Sequence, residues 1–108
     1  MESSFNRIEL AGVVGRASLT AVGDTRVARF SLATNTFYKG KDGRAVVDTT
    51  WFSATAWEGP AMPDLTRIQR GSRIHLQGRV RIQSYVDANG SDRQNWEIEC
   101  SSLEIMED

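Results

Sequence analysis

Hydrophobic and polar residues alternate along most of this chain, and the alternation breaks in one place. Side chains on a strand point to opposite faces in turn, so a period of two predicts half-buried strands. Residues 5–14 (FNRIELAGVV) put Ile8 and Leu10 on one face and predict a first strand, with Gly12 marking a bulge or bend. Residues 15–25 lose the alternation and read as a loop, with Gly23-Asp24 as its turn signal. Residues 26–37 alternate cleanly, with Ala28, Phe30 and Leu32 inward and Arg29, Ser31, Ala33 and Asn35 outward. Residues 38–45 (YKGKDGRA) form a basic hairpin loop, and residues 46–57 form the third strand. In residues 61–69 the period changes: Met62, Leu65 and Ile68 recur every three positions, which predicts a short helix. Asp64 stands where a helix cap or first-turn acid belongs, and Gly71 where a stop belongs. Residues 72–85 alternate again, Ile74, Leu76, Val80 and Ile82 against Arg73, His75, Arg79, Arg81 and Tyr85, with a register break at Gly78. A turn at residues 87–90 leads into a last strand over residues 93–105, with Trp96, Ile98 and Cys100 on one face.

Three strands, a short helix and two more strands is the order of the five-stranded OB barrel, an all-β fold. The 108 residues suit one such domain, residues 1–108. Neither a membrane-spanning apolar run nor a signal peptide is present, so a cytoplasmic location is expected. A lone cysteine excludes an internal disulfide framework, and with a single histidine it supplies too few ligands for a zinc site. No metal or other cofactor is expected. Net charge is only −1, but its distribution is uneven. All 13 basic residues lie at or before Arg93, and five of the 14 acids follow it. Residues 1–94 therefore carry 13 basic against 9 acidic side chains, a net +4, and the last strand is acidic.

The candidate chemistry centres on TTWFSATAWEG, residues 49–59. On a strand, Trp51, Ser53, Thr55 and Trp57 share one face, while Phe52, Ala54 and Ala56 take the core side. Two flat rings beside small polar residues make a platform for nucleobases, although a Trp pair alone also fits core packing. OB barrels place ligands on the face of strands 2 and 3, flanked by the 1–2 and 4–5 loops. The basic and polar candidates fall there: Arg29, Ser31 and Asn35 on strand 2; Lys39, Lys41 and Arg44 in the hairpin; Arg79 and Arg81, with Tyr85, on strand 4. Cations interleaved with rings suit a single strand of nucleic acid, phosphates on the cations and bases on the rings. Asp24, Asp42, Asp48 and Glu58 form no evident metal-binding cluster, and His75 has no acid or nucleophile pattern around it, so an enzyme is not expected.

NRIELAGVVGR (6–16), VARFSLATN (27–35), TTWFSATAWEG (49–59), RGSRIHLQGRVR (70–81) and SDRQNWEIE (91–99) together resemble the bacterial single-stranded DNA-binding protein family over residues 5–106. The resemblance implies sequence-tolerant binding of single-stranded DNA in replication, recombination and repair, by a homotetramer or a dimer of paired folds. It maps the family's stacking aromatics onto Tyr38, Trp51, Trp57 and Tyr85. Strand parity, however, puts Phe37 rather than Tyr38 outward beside Asn35, so Phe37 stays as the alternate to Tyr38.

Departures from the family shape the remaining expectations. The stretch RASLTAVGDTR (16–26) lacks an acidic, proline-containing loop, and Phe52 stands where the family often has a histidine near a subunit interface. Trp96 replaces a small polar residue and is expected in the core or at the barrel mouth; Cys100 is expected to be a buried hydrophobe. After Glu107-Asp108 there is no long linker or Phe-ended acidic tail, so tail-mediated recruitment of repair and replication partners is not expected. The alternative function is a primosomal replication-restart accessory that binds protein as well as single-stranded DNA.

Overall fold

The alternating runs become long strands because each has an apolar face to bury and a polar face to wet. The computed structural model describes residues 4–106; Glu107 and Asp108 of the acidic C-terminus lie outside the described residues. Five strands, β1 (Ile8–Val22), β2 (Thr25–Lys39), β3 (Ala45–Trp57), β4 (Arg73–Val86) and β5 (Asp92–Met106), close into a barrel in the order β1-β2-β3-β5-β4. This is the expected OB fold. Closure rests on antiparallel β1–β4 pairing and on a short parallel contact, Ala54 with Ile98 and Thr55 with Glu99. Inside lie Val14, Phe30, Leu32, Ala54, Ala56, Ile74, Leu76, Ile98 and Leu103, the inward sets of the alternating runs. Cys100 joins them as expected, and burial pushes its thiol pKa up to about 12.

Three local expectations change. The loop over 15–25 is mostly strand: β1 continues to Val22 and pairs with β2 down to a two-residue turn, Gly23-Asp24. Gly23, at φ 61, takes the first central position that a type II′ turn reserves for glycine. Beyond Ala17 the β1 side chains are exposed on both faces, so no hydrophobic period advertised this part of the strand. The bulge falls at Gly15, between the Val14–Leu32 and Arg16–Ser31 pairs, whereas Gly12 pairs regularly with Ile74. The helix over 61–69 is a single 3-10 turn, Leu65–Arg67. Spacing of three fits the three residues per turn of a 3-10 helix, so Leu65 and Ile68 both reach the core in one turn. Asp64 does cap it, its carboxylate accepting from the Thr66 N–H at 3.0 Å.

The register break at Gly78 is present, and its cause is close approach. A β-carbon there would lie 2.2 Å from the Glu99 carbonyl oxygen across the β4–β5 ladder. Past the barrel, the β2–β3 and β4–β5 hairpins continue as arms whose residues are nearly all exposed. The radius of gyration is 16.4 Å, against about 13 Å for a compact chain of this length. These arms carry most of the candidate residues.

Candidate nucleic-acid interface

The β2–β3 register runs without a break from Val27–Trp57 to Lys39–Ala45, so one outward face can be read pair by pair. Trp57 stands opposite Val27, Thr55 opposite Arg29, Ser53 opposite Ser31, Trp51 opposite Ala33 and Thr49 opposite Asn35. Trp51 is 60% exposed and Trp57 40% exposed, so neither ring is a core residue. Six strand residues separate them by about 20 Å, and the side chains between are small and polar.

The position of Trp51 depends on a residue on another strand. Its ring crosses β2 above Ser31 and Ala33 and lies against Gly15 at the bulge in β1. A β-carbon at Gly15 would sit 2.5 Å from Cζ3 and 2.8 Å from Cη2 of that ring. The Arg16 N–H donates to Ser31 Oγ at 3.0 Å, tying the bulge to the strand beneath the ring.

Beside this platform runs an open groove of about 720 Å³. Arg16 and Arg29 line one side; Arg81, Gln83, Asn95, Glu97 and Glu99, from the β4–β5 arm, line the other, with Trp57 between. Glu99 holds two arginines of β4, Arg79 and Arg81. Arg79 Nε donates to its Oε1 at 3.0 Å, and Arg81 Nη1 donates to its Oε2 at 2.8 Å. The hydrogen bond from Arg81, then that from Arg79, keeps the Glu99 carboxyl below the ordinary carboxylate range, against its partial desolvation. Of the two, Arg81 lines the groove, with part of its charge already answered, and Arg79 lies beside it.

The other candidates occupy the arms. Asn35 accepts from the Thr49 hydroxyl at 2.7 Å, which leaves its amide NH₂ as a donor on the platform face. Lys39, Lys41 and Arg44 cluster at the β2–β3 turn, where the Arg44 Nε lies 3.7 Å from Asp42. Tyr85 is half exposed near the tip of the β4–β5 arm, on the same strand face as Arg79 and Arg81. The unbroken register puts Phe37 opposite Val47 on the tryptophan face, and Tyr38 opposite Val46 on the other. No bulge brings Tyr38 round, and Phe37 is 69% exposed.

Trp96 is a correction. It is 63% exposed, neither in the core nor packed at the barrel mouth, and stands opposite Ile82 where the inward face of the arm has run past the barrel. Sequence reasoning also missed Gly15, Glu97, Glu99 and the groove's amides. The Glu99 contacts had a signal: Arg79 and Glu99 are equidistant from Asn89 at the centre of the hairpin turn, as are Arg81 and Glu97. Among the described residues no group of three or more His, Cys, Asp or Glu side chains could hold a metal ion. No helix is long and apolar enough to cross a membrane.

Known proteins are similar to this chain in sequence and in fold. The mitochondrial single-stranded DNA-binding protein of Oryctolagus cuniculus is 30% identical over 118 residues, covering 100% of this chain and 79% of that protein. The mitochondrial protein of Mus musculus is 32% identical over 104 residues, covering 87% of this chain and 68% of its own length. The structure described as the Plasmodium falciparum SSB complex with ssDNA superposes with a TM-score of 0.80 at 26% identity, covering 99% of both chains. A small single-stranded DNA-binding protein from Streptomyces coelicolor has the same fold, with a TM-score of 0.71 at 19% identity and 93% of each chain covered. Residues 5–106 match the family described as the Single-strand binding protein family, and the chain belongs to it.

Proposed function

We propose that this chain, as a single OB domain, binds single-stranded DNA with little sequence preference and protects it during replication, recombination and repair. One observation carries the reading: two tryptophans of a family member stand exposed on one strand face beside a groove lined by arginines. In this reading Trp51, Trp57 and Tyr85 stack bases. Phe37 shares their platform, while Tyr38, the family position, reaches DNA only from the opposite face of the arm. Arg29, Lys39, Lys41, Arg44, Arg79 and Arg81 meet phosphates, and Asn35 offers a polar contact. The chain acts by binding, without catalysis.

Assembly into a homo-oligomer belongs to the same proposal. A two-stranded ribbon is marginal alone, and the β4–β5 arm exposes Ile82, Val86 and Trp96 on the face away from the groove. A second copy of the chain covers that strip in this reading. The cytoplasm, at the nucleoid, is the proposed location.

Intrinsic tryptophan fluorescence during titration with oligo(dT) tests the proposal. Saturable quenching is expected, with a log–log salt slope of about −2 to −4 if three to five phosphates are neutralised at roughly 0.7 each. The Trp51→Ala, Trp57→Ala double variant should fold and bind far more weakly, since each stack is worth about 1–3 kcal/mol. Wild-type affinity in the folded double variant refutes the platform.

A further inference from the structure

The β4–β5 arm is paired in an uneven way. Its register sets Arg79 opposite Glu99 and Arg81 opposite Glu97, two opposite-charge pairs that would ordinarily satisfy each other across the strands. Instead both guanidinium groups turn to Glu99, at 2.8 to 3.0 Å. Glu97 is left with no hydrogen-bond or ion-pair partner among the described residues, although it is only partly exposed and lines the groove.

An unanswered carboxylate in a groove meant for a polyanion has a directional effect. It repels phosphate, and the arginines on the opposite wall, Arg16 and Arg29, attract it. At the level of Glu97 a strand lying in the groove therefore keeps its backbone nearer the β1–β2 wall and turns its base edges toward the β4–β5 wall. Its phosphates meet Arg79 and Arg81 only beyond Glu97 toward the barrel, where both guanidinium groups turn. On the β4–β5 wall the edges meet Gln83 and Asn95, which stand opposite each other in the register, and Glu97 two pairs closer to the barrel. The amides can donate or accept and so tolerate any base. An ionised carboxylate only accepts. Cytosine offers its N4 amino hydrogens at the place where thymine offers the O4 acceptor, which a carboxylate repels.

We propose that Glu97 is a base-selective residue, accepting from exocyclic amino groups and tilting this protein toward cytosine over thymine. The inference rests on the reading that the groove holds single-stranded DNA. The test is the ratio of affinities for oligo(dC) and oligo(dT) of equal length, in wild type and in Glu97→Gln. Removing a negative charge strengthens both complexes alike, so the ratio isolates the base contact. The ratio is expected to shift toward thymine by about fivefold in the variant, the low end for a base-edge contact. A ligand-side measurement needs no variant. In an oligomer whose base is cytosine without its amino group (pyrimidin-2-one), the wild-type affinity relative to oligo(dT) should fall below that of oligo(dC) by a similar factor. An unchanged ratio in Glu97→Gln, or an amino-free oligomer bound as well as oligo(dC), overturns the proposal. Absence of binding to every oligomer refutes instead the single-stranded DNA reading on which it stands.

Discussion

Replacing Gly15 by alanine asks whether Trp51 works from the place where the fold seats it. The new β-carbon would lie 2.5 Å and 2.8 Å from two ring carbons and 3.0 Å from Ser31 Oγ, where ordinary contact begins at 3.4 Å. The ring must retreat by about 1 Å, and being 60% exposed it can swing outward rather than break the barrel. Overpacking a core costs about 1–3 kcal/mol, and at this open edge the low end, about 1 kcal/mol, is expected in stability. The larger effect is on binding. A displaced ring loses some or all of a stack worth about 1–3 kcal/mol, a factor of roughly 5 to 160 in affinity. The assay is fluorescence titration with oligo(dT) in a double-mutant cycle of Gly15→Ala and Trp51→Ala, with circular dichroism confirming the fold. If alanine acts through the ring, it costs affinity in the wild-type background and nothing further once Trp51 is gone. An equal loss in both backgrounds would place the effect in the bulge or in the Arg16–Ser31 hydrogen bond, and the seat would have no role in binding.

Glu99→Gln should bind oligo(dT) more tightly than wild type and steepen the salt slope by up to about 0.7 for each additional phosphate met, because Arg79 and Arg81 lose the carboxylate that both now hold; weaker binding, measured by the same titration, would mean that Glu99 orients the arginines instead. Cys100 should react with a thiol reagent only after unfolding, since its thiol is buried and its pKa stands at about 12 against an ordinary 9.0. Above that ordinary value the unfolded chain loses the thiol proton while the folded chain keeps it. Stability should therefore fall as pH rises past about 9, by at most about 1.4 kcal/mol per pH unit, and denaturant midpoints should show this dependence flattened in Cys100→Ala.

Strands whose two faces differ announce themselves. Phe30 and Leu32 against Arg29 and Ser31 fixed the orientation of β2, and Ala54 and Ala56 against Trp51 and Trp57 that of β3. What hid were segments where burial does not alternate. From Ser18 to Val22 β1 is open on both sides, so its strand character there comes from the β2 backbone alone. The 3-10 turn hid for a different reason, because three hydrophobics spaced by three satisfy either a helix or a single tight turn. Trp96 was misplaced by extending an alternation past the end of the barrel. Its face is the core face by parity, but no core remains at that height for it to enter. Parity was the better guide at the β2–β3 arm, where the unbroken register keeps Phe37 on the tryptophan face.

The charges on the β4–β5 arm show how far sequence can reach and where geometry must take over. Once Asn89 is placed at the centre of the turn, the pairings of Arg79 with Glu99 and Arg81 with Glu97 follow by counting. Counting predicts two neutral pairs and a groove wall without net character. The twist of the ribbon decides otherwise, by bringing Arg81 within 2.8 Å of Glu99 and leaving Glu97 alone. One carboxylate then acts on both arginines while the other is open to a ligand. The net charge of the four residues is the same in either arrangement, and only their distribution over the groove differs. A surface meant to attract phosphate everywhere would gain from neutralising Glu97 first. Leaving it unanswered concentrates attraction on the β1–β2 wall and keeps an acceptor where base edges arrive, so the groove orients a strand as well as binding it.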